Sequence, residues 1–191
     1  MRTLQQPLFT PETEWVPPDR LPDLSSHSEI AIDLETRDPN LMTMGSGSVR
    51  RDGEVVGIAV AVEGWSGYFP IAHEGGGNMD RGLVLDWFEE LLQTTSTKIF
   101  HNAMYDVSWI RSLGFYINGG IIDTMIAASL IDENRFSYTL DSIGKDYIGM
   151  RKNENLLKEA AKDFGVNPKA EMWRLPAPFV GEYAEKDAEI T

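Results

Sequence analysis

The order in which two periodicities appear along this chain restricts its fold more than any single motif does. Alternation comes first. In "EIAIDLET", Ile30, Ile32 and Leu34 alternate with Ala31, Asp33 and Glu35, the period of a strand. "EVVGIAVAV" and "GYFPIA" repeat strand character with a turn between them. Helical spacing then takes over. From Asp80, an N-cap residue, "RGLVLDWFEELLQ" places Leu83, Val84, Trp87, Phe88, Leu91 and Leu92 on one stripe. "KIF" is a short strand, and "NAMYDVSWIRSLG" a helix closed by Gly114. "GGIIDTMIAASLIDE" reads as a brief strand followed by a helix capped near Asp123. "TLDSIGKDYIG", "NENLLKEAAKDFG" and "APFVGEYAEKDAEIT" supply three more helical segments. Three strands followed by alternating helices and short strands predict an α/β mixed sheet, three antiparallel strands and then shorter parallel ones, flanked by helices. A doubly wound parallel sheet fits this order less well. "RDPNLMTMGSGSVRRDG" and "HEGGGNMD" read as loops, and residues 1–28, rich in Pro and acids, as an extended arm anchored by Trp15 ahead of a domain at 29–191.

Composition removes several chemistries. The chain has no cysteine, so disulfides, zinc–thiolate sites and thiol nucleophiles are excluded. No apolar run approaches the ~18 residues of a membrane span, and "MRTLQQPLFTPETEW" lacks a signal-peptide core, so a cytoplasmic protein with no membrane partner is expected. The formal net charge of −13 opposes nonspecific attraction to nucleic acid, which ordinarily comes from Lys and Arg. Bound divalent cations would invert that field locally.

Three pairs of polar residues match the period of their own element. Asp33 and Glu35, two apart on a strand, project from one face, with Ile32 and Leu34 on the other. Asn102 and Asp106, four apart in "HNAMYD", share a face of a predicted helix, and Tyr183 and Asp187 repeat that spacing in "YAEKD". Each pair alone reads as a solvated acidic face.

Together, "IAIDLET", "HNAMYD" and "YAEKD" resemble, in order and spacing, the three motifs of the DnaQ-like 3′–5′ exonucleases, most nearly the proofreading domain of DNA polymerase I-type (family A) polymerases. "HEGGGNMD" and "IIDTMIAASLIDENRFSYTLDSIGKDYIG" resemble the intervening segments, so the likeness runs over residues 29–191. It implies an RNase H-like fold and a metal-dependent phosphodiester hydrolase acting on a single-stranded or frayed DNA 3′ end, within or beside a DNA polymerase. It further implies that Asp33, Glu35, Asp106 and Asp187 hold two divalent cations, Mg²⁺ or Mn²⁺, with Asp33 bridging both. Glu35 and Asp187 complete the site of the water-activating ion, and Asp106 serves the other through water. Tyr183 marks the subclass with tyrosine in the third motif and orients the attacking water. Hard cations prefer oxygen ligands, which agrees with carboxylates and no cysteine.

For the substrate, Thr36 and Asn102 are candidates for the 3′ end, and Leu41, Met44 and Tyr105 for apolar walls against bases. Phe136 and Tyr138 are further candidates, but packing under a neighbouring helix is the better reading. His27, His73 and His101 have no ligand spacing, and Gly75–Gly77 lacks the Gly-Lys-Ser/Thr of a phosphate cradle. A stand-alone RNA-trimming enzyme similar to RNase D carries the same motifs and is the alternative, and an inactive scaffold is a lesser one. The chain stops four residues past Asp187, so weak isolated activity is expected of it, whether excised from a polymerase or free-standing.

Overall fold

The computed structural model describes Pro7 and residues 10–191. Its five-stranded sheet has the order β3-β2-β1-β4-β5. β1 (Glu29–Arg37), β2 (Glu54–Val62) and β3 (Trp65–Pro70) form the antiparallel part. β4 (Thr97–Phe100) and β5 (Ile121–Asp123) add on in parallel. This is the mixed sheet that the order of periodicities predicts.

Alternation along β1 sorts its side chains into two layers. Ile30, Ile32 and Leu34 are buried with Ile58, Val60, Phe69 and the apolar face of α3 (Arg81–Gln93) and α4 (Ala103–Ser112). The opposite face is lined by small residues, Ala31, Ala59 and Ala61, against α7 (Asn155–Phe164) and α8 (Gly181–Ile190). Ala184 and Ala188 are the buried residues of α8 in this layer, so helix and sheet approach closely. α8 crosses β1, β2 and β3, and its polar residues thereby reach the acids of β1.

β4 pairs with β1 only over Glu29–Ala31 before the chain turns into α4. The C-terminal half of β1 therefore has one edge without a ladder partner, and backbone donors there need side chains. On its other edge the register with β2 shifts between Glu35, opposite Gly57, and Thr36, opposite Val55. Such a bulge adds twist and re-aims the side chains beside it.

Several expectations are corrected. "RDPNLMTMGSGSVRRDG" contains two single-turn helices, α1 (Leu41–Met44) and α2 (Gly47–Arg50). Four residues are too few for a helical period to register in sequence. Leu83 is 63% exposed, whereas Val84, Phe88, Leu91 and Leu92 are buried and Trp87 half-buried. The stripe is thus narrower than drawn, with Leu83 on its flank. Phe136 packs under nothing: it is wholly exposed between α5 (Thr124–Ile131) and α6 (Leu140–Ile148). Tyr138, half-buried, donates its hydroxyl to Asp132 O.

The expected helix ends are present. Asp80 accepts from Leu83 N, and Gly114, at φ 91°, follows α4. Trp15 donates its indole N–H to Glu185 Oε1 at 3.0 Å and lies 6.0 Å from the Tyr68 ring. Gly181 permits this approach, since a Cβ there would stand 2.0 Å from the indole. Gly75 likewise lets "HEGGG" abut the backbone of Pro176, a packing role rather than a phosphate cradle. No helix among the described residues is long and apolar enough to cross a membrane.

Candidate active site

Three of the singled-out acids converge. Asp33 and Glu35, from the α8-facing side of β1, and Asp187, from α8, each offer a carboxylate oxygen within 4.8 Å of the others. Glu35 and Asp187 are buried and Asp33 is half-buried. Asp187 Oδ1 is buried without a hydrogen-bond partner. A buried, unpartnered carboxylate oxygen facing other carboxylates is costly unless a cation joins it, so this donor set fits a hard divalent ion.

Asp106 stands beside that trio on a different footing. It lies in the first turn of α4, buried, and its Oδ1 accepts the backbone N–H of Leu34 at 3.0 Å. Leu34 belongs to the half of β1 that β4 leaves open, so the carboxylate replaces the missing ladder partner.

The electrostatics follow from the crowding. Burial and then the Asp187 charge push the Asp33 carboxyl up to about 7, with Lys152 opposing them. Burial, followed by the charge of Asp33, pushes Glu35 and Asp106 well above the ordinary carboxylate range. Asp187 is raised by burial against the pull of Lys152. Tyr183, four residues before Asp187 on α8, has its phenol raised by burial and by the neighbouring carboxylates. It therefore keeps its proton at neutral pH.

Lys152, on the segment between α6 and α7, was not foreseen. Its Nζ donates to Asp187 Oδ2 at 2.5 Å, lies 3.4 Å from Tyr183 Oη and sits 5.2 Å from the Tyr183 ring centroid. A lysine outside every motif in an irregular segment gives no sequence signal.

Asn102 is not on the helical face with Asp106. It precedes α4 with left-handed backbone (φ 66°, ψ 54°), a conformation asparagine tolerates better than most residues, and is exposed. Its N–H and that of Ala103 are accepted by Asp123 Oδ1 and Oδ2 at 3.1 and 2.8 Å. Asp123 Oδ1 also accepts from Met125 and Ile126 N–H, so one carboxylate caps both α4 and α5. Only the second of these roles was legible in the sequence.

Thr36 Oγ1 and Tyr105 Oη share a 2.7 Å hydrogen bond, and Tyr105 Oη also donates to Asp38 Oδ2 at 3.3 Å. Leu41 and Met44 are exposed on α1, 37% and 64%. His73 is buried: its Nδ1 is 3.0 Å from Leu175 O and its Nε2 2.6 Å from Tyr68 Oη. It is a structural bridge beneath the sheet rather than a metal ligand. His101 Nδ1 lies 2.9 Å from Thr124 Oγ1.

A family model described as a 3′–5′ exonuclease matches residues 12–191. A DNA-directed DNA polymerase of Pseudomonas phage M6 is 40% identical over 198 aligned positions, covering all of this chain and 30% of the phage protein. DNA polymerase I of Borreliella burgdorferi is 27% identical, covering 91% of this chain and 17% of that enzyme. The chain thus spans less than a third of either relative. Among solved structures, Brucella melitensis NrnC superposes with a TM-score of 0.57 at 20% identity, over 87% of this chain and 69% of that one. Escherichia coli RNase D, an exoribonuclease, gives 0.54 at 16% identity, over 87% and 37%. These two share the fold.

Proposed function

The chain belongs to the 3′–5′ exonuclease family of DNA polymerase I-type enzymes, and from that premise we propose that it trims a single-stranded or frayed DNA 3′ end as the proofreading portion of a larger polymerase. The observation that carries the reading is the convergence of Asp33, Glu35 and Asp187, from elements far apart in sequence, with Asp106 alongside.

Two divalent cations, Mg²⁺ or Mn²⁺, would supply positive charge to the attacking and leaving oxygens of an in-line displacement and acidify the attacking water. Asp33, Glu35 and Asp187 would hold these ions, with Asp33 central in the set. Asp187 would contribute its unpartnered Oδ1. Asp106 has committed Oδ1 to Leu34, so Oδ2 is the oxygen it would offer to a bound cation. Tyr183, held as a neutral phenol, orients the attacking water by hydrogen bonding and does not abstract its proton. Leu41 and Met44 form an exposed apolar wall for the terminal bases. Asn102 and the hydrogen-bonded Thr36–Tyr105 pair flank the 3′ end.

The test is release of mononucleotides from matched single-stranded DNA and RNA oligonucleotides with Mg²⁺ or Mn²⁺, compared with Asp33→Ala. Metal-dependent release from DNA, abolished by the substitution, is expected. Faster release from RNA would favour RNA trimming, and no release from either would mark an inactive scaffold.

A further inference from the structure

Among the described residues, Lys152 is the one cation set directly against the acid cluster, and its surroundings indicate how it is used. Its side chain is 18% exposed where that of Asp187 is 5% exposed, so the ammonium stands at the mouth of the cluster and the carboxylate inside it. The segment carrying it is held at the backbone, where Lys152 N–H donates to Asp141 Oδ1 at 3.1 Å. In front of it lies an open groove of about 810 Å³, bordered by Arg151, Lys152, Lys158 and Lys169 against only two carboxylates, Asp141 and Glu154. On a chain of net charge −13, this is a local reversal of sign, and Lys152 belongs both to the groove and to the acid cluster. The three outer cations are only loosely committed, since their side chains are 58%, 59% and 74% exposed in their ion pairs.

We propose that Lys152 couples metal binding to substrate binding by exchanging partners: it neutralises Asp187 until a substrate phosphate, arriving along the basic groove, draws the ammonium away. This rests on the metal-dependent exonuclease reading above. The physical reason is charge. An ammonium 2.5 Å from one oxygen of Asp187 opposes a divalent ion held by the other oxygen of the same group. Moving it onto a phosphate removes that opposition while the phosphate gains a donor. Linkage then requires that phosphate and cation each tighten the other's binding by the same factor.

The test measures free Mn²⁺ by electron paramagnetic resonance, with and without thymidine 5′-monophosphate, for the wild-type chain, Lys152→Met and Lys152→Arg. Wild type is expected to bind Mn²⁺ at least about 5-fold more tightly when the nucleotide is present. Lys152→Met should bind Mn²⁺ about 10-fold more tightly than wild type without nucleotide and show less than about 2-fold further tightening. Lys152→Arg, which keeps the charge, should retain the coupling. Circular dichroism verifies that each variant is folded. Unchanged or weaker Mn²⁺ affinity in Lys152→Met, or coupling that survives the substitution, overturns the proposal. No Mn²⁺ binding by the wild type under either condition overturns the metal site itself, and the coupling with it.

Discussion

Asp106 has two separable duties, and two substitutions distinguish them. Its Oδ1 closes the open edge of β1 by accepting Leu34 N–H at 3.0 Å, while its charge, buried near Asp33, opposes folding when no cation is present. Asp106→Asn preserves an acceptor of the same shape and removes the charge. Asp106→Ala removes both and leaves a buried N–H unsatisfied, at a cost of about 1–3 kcal/mol. The two variants should therefore differ in stability by about that amount. For a domain of this size it corresponds to roughly 2–12 °C in thermal midpoint, with the asparagine variant the more stable. In EDTA at pH 8, Asp106→Asn should also melt no lower than wild type, because removal of a buried like charge offsets any loss of hydrogen-bond strength. Both variants should lose exonuclease activity, since neither supplies an anionic oxygen. Differential scanning calorimetry in EDTA reads the stability, and mononucleotide release reads the activity. Equal midpoints for the alanine and asparagine variants would refute the claim that this side chain holds the strand.

Metal-free stability should fall as pH rises from 6.5 to 8.5. Burial raises the Asp33, Glu35 and Asp106 carboxyls, so the folded chain retains protons that the unfolded chain has released. The stabilisation present below the unfolded values of 3.8 for the aspartates and 4.5 for Glu35 is lost as pH passes through the folded values, about 7 for Asp33. Asp33 alone contributes about 1 kcal/mol in this window. His73, lowered to about 4 by burial, acts in the opposite sense but only between that value and 6.5. Thermal midpoints in EDTA and in Mg²⁺ test this, the cation flattening the slope. Tyr183→Phe should lower kcat on the order of 10²-fold in single-turnover assays while leaving Mn²⁺ affinity unchanged, the signature of lost water orientation. His73→Ala should strand the Tyr68 hydroxyl and the Leu175 carbonyl, costing about 2–5 kcal/mol in urea unfolding without altering Mn²⁺ binding.

The parts of the molecule legible in the sequence are those in which a period repeats. β1 declares two faces because Ile30, Ile32 and Leu34 alternate with Ala31, Asp33 and Glu35, and α8 declares Tyr183 and Asp187 as one face by their spacing of four. Asn102 misled because spacing of four implies a shared face only inside a helix, and a single left-handed residue at the helix start breaks the arithmetic without changing the letters. α1 and α2 are single turns whose formation depends on local capping, such as the Ser46 side chain accepting from Ser48 N–H, more than on any apolar stripe. Lys152 reached the site through the packing of an irregular segment, and His73 found its partners 5 and 102 residues away. Neither kind of contact leaves a periodic trace.

The carboxylate of Asp123 gathers four amide protons, two from the start of each of two helices. The consequence is mechanical. α4 and α5 are fastened at a single shared rivet, so neither can fray at its first turn while the other stays intact. Amide hydrogen exchange at Asn102, Ala103, Met125 and Ile126 should therefore proceed at one common rate. Asp123→Ala should release all four together and loosen the helix that carries Asp106, although the substituted residue lies on a different element.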